Sequence, residues 1–222
     1  MKDIPVFASE FGAASLILKE IPYRHEAYIR IRDSLEPEKL LTECVSFCRM
    51  CGAERIYTSG HSWLDKLPLH CAVIEMRGEA KPDPAKVRCL WPVTPETCGE
   101  FRKLMNARMA GVDNAGTLEA KDEAWLSSVH AYFAHDGKKL LGIGIMQDDC
   151  LRAVASVLPG RGEETLHTLF TLCPGKMLRL EVASTNTRAI RLYENAGFLK
   201  TGELSRWYRA DQINKGMSRK NT

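Results

Sequence analysis

Long hydrophobic runs are missing from this 222-residue sequence, and no stretch approaches the ~20 consecutive apolar residues that a bilayer-spanning helix requires. The first residues, Met1-Lys-Asp-Ile-Pro5, lack the basic start and apolar stretch of a signal peptide, so a cytoplasmic location is expected. An excess of one charge sign is missing too: Lys and Arg number 31 against 28 Asp and Glu, a net of +3. That balance is too weak to argue for nucleic acid or membrane as a partner, and only the short end Lys215-Gly-Met-Ser-Arg-Lys220 is locally basic. Cysteine is sparse, eight in 222 residues, so reduced thiols are expected rather than a disulfide scaffold. What is present is the composition of a globular protein, 45% apolar and 27% charged, with a length of roughly one and a half ordinary domains.

The clearest break is Gly78-Glu-Ala-Lys-Pro-Asp-Pro84, where two prolines follow an apolar run from Cys71 to Met76. Ahead of it, strands are expected at Ala14 to Lys19 and Ala27 to Arg32. A helix follows from Pro37 with Gly52 as its stop, then strands at Arg55 to Thr58 and His70 to Met76. Beyond it, a strand at Val87 to Val93 leads to a helix capped by Thr94, and a second helix is expected over Leu118 to Ser128. Strands at His130 to His135 and Leu140 to Gln147 meet at Asp136-Gly137, a strong hairpin signal. A strand at Leu151 to Val157, a helix to Leu172, a strand at Met177 to Val182, a helix over Thr187 to Ala196 and a strand near Glu203 to Arg209 complete the order. The helix, glycine and strand that start at Glu38 echo in pattern those that start at Glu163.

The most informative stretch is Leu178 to Phe198. Leu178, Leu180 and Val182 alternate as a half-buried strand, Asn186 can cap the next helix, and Gly197 ends that helix before Phe198 returns to the core. Asn186, Ala189, Leu192, Tyr193, Gly197 and Phe198 resemble in order and spacing the signature of the GNAT superfamily of acyl-CoA-dependent N-acyltransferases. The element order of residues 87–210 resembles that fold as well. The resemblance implies an α/β (α+β) architecture, a mixed and mostly antiparallel central sheet flanked by helices. Residues 87–210 would be the N-acetyltransferase domain, 81–86 a linker, 211–222 a polar basic tail, and 1–80 a β-β-α-β-β half-domain docked on the rest.

The resemblance further implies direct transfer of an acetyl group from acetyl-CoA, as cosubstrate, to a primary amine of a small molecule or peptide, with no metal. By match to the motif, Tyr193 would protonate the departing sulfur and touch the cofactor; its alternative is a core tyrosine. Asn186 would bind the cofactor arm or fix the strand end. Glu181 is the candidate base, with Asp148 and Asp149 as further candidates, and solvated surface is the alternative for each. The pyrophosphate would rest on Val157, Gly160, Arg161 and Gly162, in a loop shorter than the family pattern.

Glu163 and Glu164 stand as like charges beside that place, at a cost of roughly 3 kcal/mol for a unit pair ~6 Å apart at an effective dielectric of 20. A lost cofactor site, and with it a non-catalytic binding or regulatory module, is therefore the competing expectation. The acceptor is expected against Val112 to Trp125, and self-association as a homodimer stays open. Cys44, Cys48 and Cys51 lie on one apolar helix face and are expected as packing. With His61, His70 and Cys71 they match no zinc-ligand spacing.

Overall fold

The alternating and periodic segments fold, in the computed structural model, into eleven strands and six helices among the described residues, which are 2–128, 130–211 and 213. In chain order they are β1 (Ile4–Ser9), β2 (Gly12–Ile17), α1 (Ile21–Arg24), β3 (Glu26–Asp33), α2 (Pro37–Met50), β4 (Arg55–Ser59) and β5 (Leu69–Glu79). Then come β6 (Cys89–Pro92), α3 (Cys98–Met109), α4 (Glu123–Ser128), β7 (His130–His135), β8 (Leu140–Gln147) and β9 (Cys150–Ser156). The last are α5 (Gly162–Phe170), β10 (Met177–Ala183), α6 (Thr187–Asn195) and β11 (Leu199–Arg209). Strand pairing is mostly antiparallel, with β3–β4 and β9–β10 parallel, and helices flank the strands. The basic end from Lys215 lies outside the described residues.

Two compact units form, one from residues up to Ala72 and again from Leu204, the other from Val73–Glu203. In the first unit the strand order is β1-β2-β3-β4-β11. Leu40, Leu41, Cys44, Val45 and Cys48 line one side of α2 and bury against Leu16, Ile29, Ile31 and Ile56 of the strands. Tyr208 and Ala210 from the end of the chain complete that core, and β11 pairs antiparallel with β4 through Tyr208 and Arg209.

In the second unit the order is β5-β10-β9-β8-β7-β6. Ile143 and Ile145 of β8 face α3 and α4, with Phe101, Met105 and Leu126. The alternate residues of β8 lie under α5, so close that a Cβ on Gly142 would fall 2.2 Å from Thr165 Oγ1. On that side α5 and α6 bury Leu166, Leu169, Phe170 and Ile190 against Leu178, Leu180 and Val182 of β10. The segment between β5 and β6 is held along this unit: Ala80 N–H donates to Lys176 O (2.8 Å), Asp83 N–H to His167 Nδ1 (3.2 Å) and Arg88 N–H to Thr168 Oγ1 (2.9 Å).

Several expectations change in detail. Strand β1 has no counterpart in the sequence reading, because as a chain edge it leaves Val6 68% exposed and its burial does not alternate cleanly. Thr94 does not cap α3: residues 94–97 form a turn closed by Thr97 N–H to Thr94 O (3.0 Å), and Thr97 holds the cap position. The helix expected over Leu118 to Ser128 is shortened to a 3-10 turn at Ala120–Asp122 followed by α4. Asn106 clamps Leu118 outside it, with Nδ2 donating to Leu118 O and Oδ1 accepting from Leu118 N–H, both 2.9 Å. The side chains of Glu119 and Asp122 then start the turn as a capping box. The last strand begins at Leu199, earlier than expected, with exposed residues at its start.

Candidate functional site

Two parallel strands that share one sheet normally pair along their length, and β3 with β4 do so over five registered positions, from Glu26 opposite Arg55 to Arg30 opposite Ser59. The parallel pair of the second unit, β9 with β10, meets at one position only, Cys150 opposite Arg179, beside Arg179 N–H donating to Asp149 O (2.8 Å). Beyond it the strands part toward their C-terminal ends at Ser156 and Ala183. The backbone groups of β9 and β10 that face each other there have no strand partner among the described residues. Such groups seek water or a ligand with donors and acceptors of its own. A bulge adds to the opening: Leu151 pairs with Met146 and Ala153 with Ile145, leaving Arg152 as the extra residue that turns β9. An opening at the carboxyl ends of parallel strands, between two helix N-termini, is where α/β sheets place ligands.

On the α5 side the chain enters through Val157 to Arg161. Val157 N–H donates to Leu141 O (2.8 Å) and its carbonyl accepts from Arg108 Nη2 (2.6 Å), so both its backbone groups are taken. Gly160 adopts φ +79°, a left-handed conformation that glycine takes without strain, and a Cβ there would meet nothing within 4 Å. The amides of Gly162, Glu163 and Glu164 precede the first helical bond, from Thr165 N–H to Arg161 O (3.0 Å), and point out of the helix start.

The charges at this helix start are answered in a way the sequence did not reveal. Glu163 pairs with Lys86 Nζ (2.9 Å), and Glu164 with Arg88 Nη2 (2.6 Å) and Arg161 Nη1 (2.7 Å). Burial alone would push the Glu164 carboxyl up, but its bonds to Arg161 and Arg88 outweigh that and hold it below the ordinary carboxylate range. Lys86, which also lies 3.7 Å from Asp83 Oδ2, and the two arginines thus answer both carboxylates, so the repulsion expected from Glu163 and Glu164 is offset. Lys86 and Arg88 are the residues that sequence reasoning missed. They lie more than seventy positions from their partners and carry no motif, so no local signal could have found them.

Tyr193 sits on α6 in the core of the second unit, its ring 6.2 Å from that of Phe198. Its hydroxyl has no hydrogen-bond partner among the described residues, and burial pushes the phenol well above its ordinary value. Asn186 caps α6, its Oδ1 accepting from Ala189 N–H (3.1 Å), so that side chain is committed to the helix. Glu181 is exposed on β10, on the face opposite Leu180 and Val182, within the stretch that has left β9. Its cross-strand neighbour Glu75 is held by Arg77 (2.9 and 3.2 Å) and Thr201 (2.8 Å), bonds that keep its carboxyl below the ordinary range. Asp148 and Asp149 sit instead at the closed end of the β9–β10 pair, where Arg179 Nε lies 3.4 Å from Asp149 Oδ1.

At the open end, Thr185 Oγ1 donates to Asp113 Oδ2 (2.7 Å), which brings the loop after α3 to the end of β10. No group of three or more His, Cys, Asp or Glu converges among the described residues. His61 caps a 3-10 turn with Nδ1 accepting from Trp63 N–H (3.0 Å), and His70 stacks on Tyr57 at 4.0 Å. No helix among the described residues is long and apolar enough to cross a membrane.

No family model matches this sequence, and no curated protein matches it. Solved structures do. A GCN5-related N-acetyltransferase from Sphaerobacter thermophilus is similar at TM-score 0.51 and 12% identity, over 89% of this chain and 76% of that one. A GNAT-family acetyltransferase from Colwellia psychrerythraea is similar at TM-score 0.51 and 14% identity, over 92% of this chain and 84% of that one. A conserved protein of unknown function from Staphylococcus epidermidis is similar at TM-score 0.54 and 12% identity, over 91% of each chain. The likeness is one of fold: this chain has the fold of the GCN5-related N-acetyltransferases, or GNAT fold.

Proposed function

We propose that on this GNAT fold the protein is an N-acetyltransferase, moving an acetyl group from acetyl-CoA to a primary amine of a small molecule or peptide. The observation that carries this reading is the parting of β9 from β10 after their one registered position, beside the outward amides of Gly162, Glu163 and Glu164. The unpartnered backbone groups of the two strands suit an extended arm that bears amides, and the first turn of α5 suits a pyrophosphate. Gly160 gives close access to that turn, while Lys86, Arg88 and Arg161 supply the positive charge around it.

Acetyl-CoA supplies the thioester: the amine nitrogen bonds to the carbonyl carbon and the carbon–sulfur bond breaks. Glu181, or a water it holds, accepts the proton that the amine loses, and Tyr193 Oη gives a proton to the departing sulfur. Asn186 acts by fixing the start of α6, and so the position of Tyr193, rather than by touching the arm. The acceptor amine would approach along the Glu181 side of β10, near the loop that Thr185 ties to Asp113.

Calorimetry with acetyl-CoA tests this directly. Saturable binding is expected below millimolar cofactor. Absence of heat at millimolar acetyl-CoA overturns the proposal and leaves the non-catalytic binding module.

A further inference from the structure

We propose that the acceptor amine carries a carboxylate a few carbon atoms from its nitrogen, and that Arg179 holds this carboxylate while Glu181 receives the amine. This rests on the acetyltransferase reading and names the class of acceptor for the same site: an amino acid whose two charged groups stand apart. The strands β5 and β10 carry the same two residue types in register. Arg77 stands opposite Arg179 and Glu75 opposite Glu181, so the four side chains share the sheet face that turns away from Leu180 and Val182. Arg77 and Glu181 are exposed there, and Arg179 and Glu75 are half-buried.

Like charges directly opposite each other on neighbouring strands repel. Strand β5 answers its own pair: Arg77 Nε and Nη2 donate to the two oxygens of Glu75 (2.9 and 3.2 Å), and Thr201 Oγ1 donates to Glu75 as well (2.8 Å). Strand β10 leaves the equivalent pair open. No ion pair joins Arg179 to Glu181, and Glu181 has no hydrogen-bond partner among the described residues. Arg179 reaches Asp149 through Nε alone, at 3.4 Å, and its two terminal nitrogens have no partner among the described residues. The open pair also lies along the direction the reaction needs. Arg179 is at the last registered position of β10 with β9, while Glu181 is two residues on, about 6.6 Å along the strand, where the strands have parted. A ligand that closes the pair therefore turns its amine toward the opening and its anion away from it. A carboxylate suits the terminal nitrogens of a guanidinium, which offer two parallel N–H groups. An amine without an anion leaves those nitrogens unanswered, and a diamine sets its second ammonium against Arg179 and Arg77.

The test titrates the full-length protein, with and without saturating coenzyme A, with three amines on a four-carbon chain: 4-aminobutyrate, butylamine and 1,4-diaminobutane. Binding is followed through the backbone amide shifts of residues 73–77 and 179–183. With coenzyme A present, 4-aminobutyrate should bind at these amides at least tenfold more tightly than either of the others, and Arg179→Gln should weaken it at least tenfold. Equal affinity for 4-aminobutyrate and butylamine in the unaltered protein would overturn the proposal, whatever the variant does. So would a preference for 1,4-diaminobutane, no shift with 4-aminobutyrate up to tens of millimolar, or undiminished affinity in Arg179→Gln. Failure of the acetyltransferase reading shows on other residues: coenzyme A that leaves the amides of residues 162–164 unmoved overturns that reading, and this inference with it.

Discussion

A phenol without a hydrogen-bond partner in an apolar setting keeps its proton, because the phenolate would be poorly solvated there. Tyr193 is in that position, and burial raises its pKa above the ordinary ~10. It can therefore serve as an acid across neutral pH, and its titration should add no alkaline fall in turnover below about pH 10. Tyr193→Phe keeps the ring against Phe198 and deletes only the proton donor. Its turnover should fall about 10²-fold or more with acetyl-CoA affinity within about twofold, read by steady-state rates beside calorimetry. Equal turnover would remove Tyr193 from its role.

Cys44 and Cys48 show a second consequence of burial. Each thiol is pushed up to about 12 from an ordinary value near 9, first by desolvation. In the unfolded chain these thiols lose their protons near pH 9, while in the folded protein they keep them until about pH 12. The contribution to stability is whole below pH 9 and is lost as pH climbs toward 12. Melting temperature should therefore fall over that window, and more shallowly in the Cys44→Ala/Cys48→Ala variant. An identical slope in the two proteins would show that other groups dominate.

Among elements, the stretch from β10 through α6 was the most legible, because each of its signals is local. Leu178, Leu180 and Val182 alternate, Asn186 caps, and Tyr193 and Phe198 return to one core. The cap also separates two roles that spacing could not. If Asn186 acts only through Ala189 N–H, Asn186→Ala should cost about 1 kcal/mol of unfolding free energy, and Asn186→Ser should recover most of it. Turnover of the folded variants would then stay within a few fold. A hundredfold loss of turnover in Asn186→Ser with stability intact would instead make Asn186 a ligand of the arm. Elements whose limits are set by distant partners were read less well. The helix expected from Leu118 gives way to a clamp from Asn106, and the charge at α5 depends on Lys86 and Arg88, which precede it by more than seventy residues. The parting of β9 from β10 has no sequence signal at all, since both strands alternate as any half-buried strands do.

For the molecule as a whole, the thin echo between the helix from Pro37 and the helix from Gly162 has a counterpart in topology. In each unit an antiparallel pair of strands is followed by a helix and a strand parallel to the second of the pair: β2, β3, α2, β4 in the first and β8, β9, α5, β10 in the second. The same order raises the question of how many cofactors one chain can hold. Where β9 and β10 part after one position, β3 and β4 stay paired through five, and their facing backbone groups are spent on each other. Where the start of α5 is ringed by Lys86, Arg88 and Arg161, that of α2 carries Glu36, Pro37 and Glu38. Among its described residues the first unit thus offers neither an opening for an arm nor a seat for a polyphosphate. Titration with acetyl-CoA should give one site per chain, and Glu163→Gln/Glu164→Gln, which frees Arg88 and Arg161 at α5 and leaves Lys86 to Asp83, should tighten that site without adding a second. A stoichiometry near two per chain would mean that β3 and β4 open in solution, and that the repeat of elements carries a repeat of function.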